Sequence, residues 1–134
     1  MTLRGVDSPA KPQTWRGENG IVYHDMGGFS HLTLDLVSYM HTGHLRLTGR
    51  QAVPVILLAE DLLTVDFEVQ IFASHPDVLN SVSTLAIVGS SFMLRHLTAM
   101  FLSYHQPVYP VQRFDSRTEA EAWLLGEYRV HGDS

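Results

Sequence analysis

The sequence predicts an α/β domain with a largely parallel sheet, opened by an antiparallel hairpin and with helices placed between the later strands. Three observations predict it. Two apolar runs of strand length, Val53 to Ala59 and Val82 to Val88, read as strands covered on both faces. Segments with the 3.6-residue apolar period of a helix separate and follow them. Near the start, Asn19-Gly20 supplies a tight-turn signal between two short strand candidates. Strands separated by helices require right-handed crossovers and therefore lie parallel.

The elements follow in order. Trp15 to Glu18 and Ile21 to Met26 form the hairpin, with positive φ expected at both Asn19 and Gly20, and Gly27-Gly28 breaks the second strand. Thr33 is placed to cap the first helix, and Asp35 in its first turn suits the helix dipole. Leu36, Val37, Met40, His44 and Leu47 make one face of that helix, and Gly49 ends it in the left-handed region. Pro54 leads into the first buried strand. Asp66 can cap a second helix carrying Val69, Phe72 and Ala73, which His75-Pro76 terminates. After the strand Val82 to Val88, Gly89-Ser90-Ser91 forms a turn into a third helix from Phe92 to Tyr104. Met93, Leu97, Met100, Phe101 and Tyr104 are expected on its inner face, and Gln106-Pro107 stops it. Val108 to Phe114 is the last strand, where Pro110 marks an edge or a bulge. Ser116-Arg117-Thr118-Glu119 has the spacing of a capping box for a closing helix faced by Ala120, Trp123, Leu124 and Tyr128.

With 134 residues and 45% hydrophobic content, the chain has material for one domain and one core. Residues 1–13, with Pro9, Lys11 and Pro12, read as a flexible arm, residues 14–130 as the domain, and 131–134 as a tail. There is no cysteine, so disulfides, cysteine nucleophiles and thiolate metal sites are excluded. Nine basic residues face fourteen acidic ones, a formal net charge of −5 without any basic run, which argues against nucleic acid as a partner. The first residues lack an apolar stretch, and Val53 to Ala59 falls far short of the roughly 20 residues of a membrane helix. The expectation is a cytoplasmic protein that does not insert in a membrane.

Little in the sequence carries chemistry. His41-Thr42-Gly43-His44 has i, i+3 spacing, but two ligands are no metal site, and the simpler reading has His41 facing solvent and His44 at the core boundary. The other histidines are scattered along the chain. Gly89-Ser90-Ser91 stands at a strand-to-helix turn, yet it is neither a Walker loop nor a nucleophile elbow, so a helix cap explains the serines. Glu60, Asp61, Asp66 and Glu68 form the dense acidic stretch, with nothing to raise a carboxyl pKa. Arg95 beside His96 reads as a surface pair. Gly17, Gly27 and Gly28 make no dinucleotide fingerprint. No catalytic, metal-binding or cofactor-binding residue is expected, and the chain is read as non-enzymatic. An enzyme would need Ser90, His96 and a carboxylate to meet in space.

Three segments carry a family likeness: Pro54-Val55-Ile56-Leu57-Leu58 followed by Asp66, Leu85-Ala86-Ile87-Val88-Gly89-Ser90 followed by Arg95, and Pro107 to Phe114 running into Ala122-Trp123-Leu124. In these segments the chain resembles the uncharacterised bacterial STAS-like family, distant relatives of anti-sigma-factor antagonists and of the cytosolic domains of sulphate transporters. The resemblance implies a mixed sheet of four to five strands with helices mainly on one side. It also implies non-catalytic work, binding a protein partner or, in some relatives, a small ligand. In the antagonist branch, a serine in an Asp-Ser-Ser motif at the start of the second helix is phosphorylated. Here the matching segment is Asp66-Phe67-Glu68. The aspartate is kept, both serines are missing, and Glu68 stands near the phosphoserine position as a fixed charge.

The function expected on these grounds is that of a regulatory protein-interaction module without the usual phosphoserine. Its candidate partner surface comprises Asp66, Phe67, Glu68, Ser90, Ser91 and Arg95. The alternative is a domain binding a small apolar ligand or lipid, with Phe92, Met93, Met100, Phe101 and Tyr104 lining a pocket. The hairpin leaves an exposed sheet edge, so a homodimer also stands open.

Overall fold

The structure, a computed structural model, describes residues 11–133, with side chains as far as residue 126. Most of the expected arm, the side chains of Tyr128 and His131, and Ser134 lie outside the described residues. The elements are β1 (Gln13–Arg16), β2 (Val22–Asp25), β3 (His31–Leu32), α1 (Leu34–Thr48), β4 (Val53–Leu58), β5 (Thr64–Val65) and α2 (Phe67–Ser74). A 3₁₀ turn (Pro76–Asn80), β6 (Val82–Val88), α3 (Phe92–His105), β7 (Val111–Phe114) and α4 (Arg117–Asp133) complete the chain.

Five strands form one sheet in the order β1-β2-β4-β6-β7. β1 runs antiparallel to β2, and the remaining neighbours are parallel, with Val22 opposite Val55, Val55 opposite Leu85, and Leu85 opposite Val111. The crossovers β2-α1-β4, β4-α2-β6 and β6-α3-β7 all advance across the sheet in the same direction. Right-handed connections that step the same way place their helices on the same face. Accordingly, Met40 of α1, Val69 of α2 and Leu94 of α3 share one core cluster with Met26, Leu32 and Ile87. α4 covers the opposite face, where Ala120 and Leu124 pack on Ile21, Tyr23, Ile56 and Ala86. The expected mixed sheet, with its helices mainly on one side, is therefore the observed architecture.

Local chemistry fixes the helix ends. Thr33 Oγ1 accepts from the Leu36 amide at 3.2 Å, Ser91 Oγ from Leu94 at 3.0 Å, and Ser116 Oγ from Glu119 at 3.2 Å, each satisfying a first-turn donor. The Glu119 carboxylate in turn accepts the Ser116 hydroxyl at 3.3 Å. Gly49, at φ 65°, ends α1 with its amide donating to Leu45.

Some local expectations are corrected. The hairpin is not a two-residue turn: Gly20 N–H donates to Gly17 at 3.0 Å, and Gly20 takes positive φ but Asn19 does not. Asn19 instead accepts the Ile21 amide through its side chain. α3 turns Leu94, Leu97, Thr98 and Phe101 inward, while Met100 and Tyr104 are exposed. Leu47 of α1 is exposed as well. The last strand begins at Val111, and Pro110 just before it accepts from the Leu85 amide through its carbonyl. β3 and β5 form a two-stranded parallel ribbon outside the main sheet.

Candidate functional site

The six residues read from the sequence fall into two groups, each held by its own partners. Asp66 is the residue before α2, but its carboxylate makes no capping bond. It meets His31 Nε2 of β3 at 2.7 Å, a hydrogen bond open to solvent on both sides. Phe67, the first residue of α2, is 63% exposed and packs against the His105 ring at a centroid distance of 5.7 Å. Glu68 follows in the same exposed first turn.

Ser90 and Ser91 form the loop after β6 and Arg95 stands in the first turn of α3, next to the loops that follow β4 and β7. Ser90 N–H donates to Glu60 Oε1 at 2.7 Å, so a carboxylate from the chain itself occupies the start of α3. The Ser90 hydroxyl also faces Glu60, at 3.5 Å, and among the described residues no imidazole hydrogen-bonds to it. Ser91 is the cap. Arg95 lies 3.8 Å from Asp115, whose main partner is Arg113 at 2.7 Å. The hydrogen bond from Arg113, with the charges of Arg113 and Arg95 beyond it, holds the Asp115 carboxyl below the usual carboxylate range. Arg113 also donates to the Gly89 carbonyl at 2.8 Å. This cluster ties three loops together, and its polar groups are spent on one another.

The face formed by α2 and α3 is different in character. Phe67 and Ile71 on α2, and Met100 and Tyr104 on α3, are large apolar side chains left exposed, Tyr104 at 76%. Residues four apart share a helix face, so each pair makes a stripe. Below them a cavity of about 130 Å³ opens between the two helices and the sheet, lined by Val69, Leu85, Ile87, Leu97, Met100 and Phe101 among others. Of the residues expected to line a pocket, Met100 and Phe101 do so, whereas Phe92 is 81% exposed at the start of α3.

The histidines are less scattered than their spacing suggests. His24 of β2 and His44 of α1 are both buried and stack at a centroid distance of 5.6 Å, with His41 edge-on to His44 at 6.1 Å. His24 Nδ1 is 2.8 Å from Thr14 Oγ1, and His44 Nε2 donates to the Ser81 carbonyl at 3.0 Å. Burial, reinforced by the neighbouring imidazoles, depresses His24 to about 3. His44 and His41 are lowered too, by burial first. His44 thus lies in the core and not at its boundary. Strand alternation could have shown His24 facing the same layer as Val22, but only the register of β2 under α1 brings it to His44. Among the described residues, no group of three or more His, Asp or Glu side chains is arranged to hold a metal ion.

An α/β sheet with one antiparallel edge, three crossover helices on one face and a closing helix on the other is the SpoIIAA-like, or STAS-like, fold. An uncharacterised protein of the DUF3478 family from Shewanella loihica PV-4, described as having a SpoIIAA-like fold, superposes with a TM-score of 0.57 at 12% identity. The superposition covers 84% of this chain and 91% of that one. At that identity the likeness concerns the fold. Residues 15–127 match the model of a domain of unknown function, DUF7793, and the chain belongs to that family. A comparison with the curated proteins gives no match. No described helix is long and apolar enough to cross a membrane.

Proposed function

We propose that this domain is a non-catalytic regulatory module of the cytoplasm that binds a protein partner through the first turn of α2 and the adjoining face of α3. The observation that carries this reading is Phe67, an aromatic side chain 63% exposed on a helix start, in line with exposed Ile71 and against the His105 ring of α3. Aromatic anchors ringed by charge are what interface cores use, and Asp66 and Glu68 supply that charge here. Ser90, Ser91 and Arg95 flank the surface in this reading and keep its supporting loops in place. The absence of serine from Asp66-Phe67-Glu68 argues for a surface that is permanently competent, without a phosphorylation step. The test compares proteins retained from the native cell extract by the wild type and by Phe67→Glu/Ile71→Glu and Asp66→Lys/Glu68→Lys variants of unchanged urea midpoint. The expected outcome is a specific protein retained by the wild type and lost from both variants. The same retained set for all three, or no retained protein, removes the proposal. A homodimer along the outer edge of β1 belongs to the same reading, and a constant monomer mass in sedimentation over a range of concentrations would remove it.

The cavity supports a second reading, a small apolar ligand. At about 130 Å³ it is well below the range of roughly 300–1,000 Å³ usual for drug-sized ligands, and suits a group about the size of one aromatic ring. Native mass spectrometry separates the readings: a reproducible added mass favours the ligand, and a clean unliganded mass counts against it.

A further inference from the structure

Two of the imidazoles described above, His24 and His44, are buried, and His41 stands against His44 at the margin of the same layer. All three lie where α1 rests on the hairpin and on the end of the 3₁₀ turn. Each buried ring has one polar partner of its own, Thr14 for His24 and Ser81 for His44, and neither partner is charged. The charged groups around the layer are few. Arg16 of β1 acts on His44, and its positive charge opposes a second one. His75 and Asp77 of the 3₁₀ turn line a pocket with His41 and Phe72 on the outer side, and Asp77 is 3.7 Å from His75. Among the described residues, no carboxylate acts on His24 or His44. An imidazolium formed here would be buried without a counter-charge, next to two other imidazoles and an arginine. The cheapest escape is to bring the ring to water, and α1 is the lid over it.

We propose that the layer of His24, His41 and His44 is an acid-sensitive latch: neutral rings hold α1 against the β1–β2 hairpin, and their protonation releases it.

The sign follows from linkage. A histidine whose folded pKa lies below its ordinary value of 6.5 binds its proton in the open state first. Closure is at full strength above pH 6.5 and weakens as pH falls below it, down to about 3 for His24. Between pH 6.5 and 5.5 each such ring shifts the open-to-closed ratio by up to about fivefold, so His24 and His44 together give up to about thirtyfold.

Amide hydrogen exchange tests the latch, with rates corrected for the intrinsic effect of pH. Between pH 6.5 and 5.5, amides of α1 from Val37 to Leu45 are expected to exchange about 5–30 times faster, and at every pH to open at a lower free energy than amides of α4 from Ala120 to Leu125. In His24→Asn/His44→Gln, which keeps a hydrogen-bonding group near Nδ1 and near Nε2 without a titrating ring, the acceleration is expected to fall to the share of His41, at most about fivefold. Imidazole nitrogen shifts of the wild type keep the test open if that variant fails to fold: in the folded protein His24 is expected to stay neutral down to pH 5.5, and His44 to titrate below its ordinary value. Either ring titrating near 6.5 in the folded state overturns the proposal. So does an equal opening free energy in α1 and α4, which is global unfolding, or an undiminished pH response in the double variant.

Discussion

Gly89 shows how one position can be fixed by its surroundings. Its φ of 155° is rare for a residue with a side chain, and a Cβ there would sit 3.0 Å from the Glu60 backbone and run into the Leu94 side chain. Gly89→Ala is therefore expected to cost about 2–4 kcal/mol in urea unfolding, combining backbone strain with overpacking. Gly43, within α1, is the opposite case. Its Cβ would meet the Thr14 side chain at 3.6 Å, an ordinary contact, so Gly43→Ala should stabilise the protein by about 0.5–1 kcal/mol. A loss at position 43, or no change at 89, would show that these contacts are misjudged. Tyr109 is held in a third way. It is buried, its hydroxyl donates to the Ala73 carbonyl at the end of α2, and burial pushes its pKa up to about 12. Tyr109→Phe leaves that carbonyl unpaired and is expected to cost about 1–3 kcal/mol in the same measurement.

The elements differ in how far their ends and faces could be read. The Thr33 and Ser91 caps behave as their residue types require, so Thr33→Ala should cost about 1 kcal/mol of unfolding free energy. Asp66 has the right residue type and position, but its carboxylate is committed to His31, and Asp66→Ala should cost less than Thr33→Ala. A cap preference names a position and not the partner that competes for it. The buried strands Val53–Leu58 and Val82–Val88 were legible because covered strands leave unbroken apolar runs. The inner face of α3 was only partly so, because apolar residues occupy more than one stripe of that helix: Leu94, Leu97 and Phe101 face in, Met100 lines the cavity while half exposed, and Tyr104 faces out. Period alone cannot choose between adjacent stripes. The two-residue strands β3 and β5 are too short to carry any period. Of the candidate surface, the exposed start of α2 was readable from Asp66-Phe67-Glu68. The contact of Phe67 with His105 depends on helix packing that no local pattern encodes.

At the scale of the whole molecule, the titrating groups bound a pH window. His24, His41 and His44 are lowered by burial, so stability falls as pH drops below their ordinary value of 6.5. Tyr109, and Tyr23 beneath α4, are raised by burial; the stability they contribute is complete below about pH 10 and is lost as pH rises, toward about 12 for Tyr109. Urea midpoints are expected to be flat between about pH 7 and 9.5 and to fall on both sides. A midpoint that keeps rising from pH 7 down to 5 would contradict the acid limb. The strand order of the main sheet carries a different kind of consequence. β1, β2, β4, β6 and β7 lie side by side in the sequence in which a ribosome would deliver them. Each new strand joins the open border of what is already built, and none has to wedge itself between two earlier ones. A nascent chain can thus lay down this sheet from one margin to the other, and α4, emerging after all five strands, covers the face they leave bare.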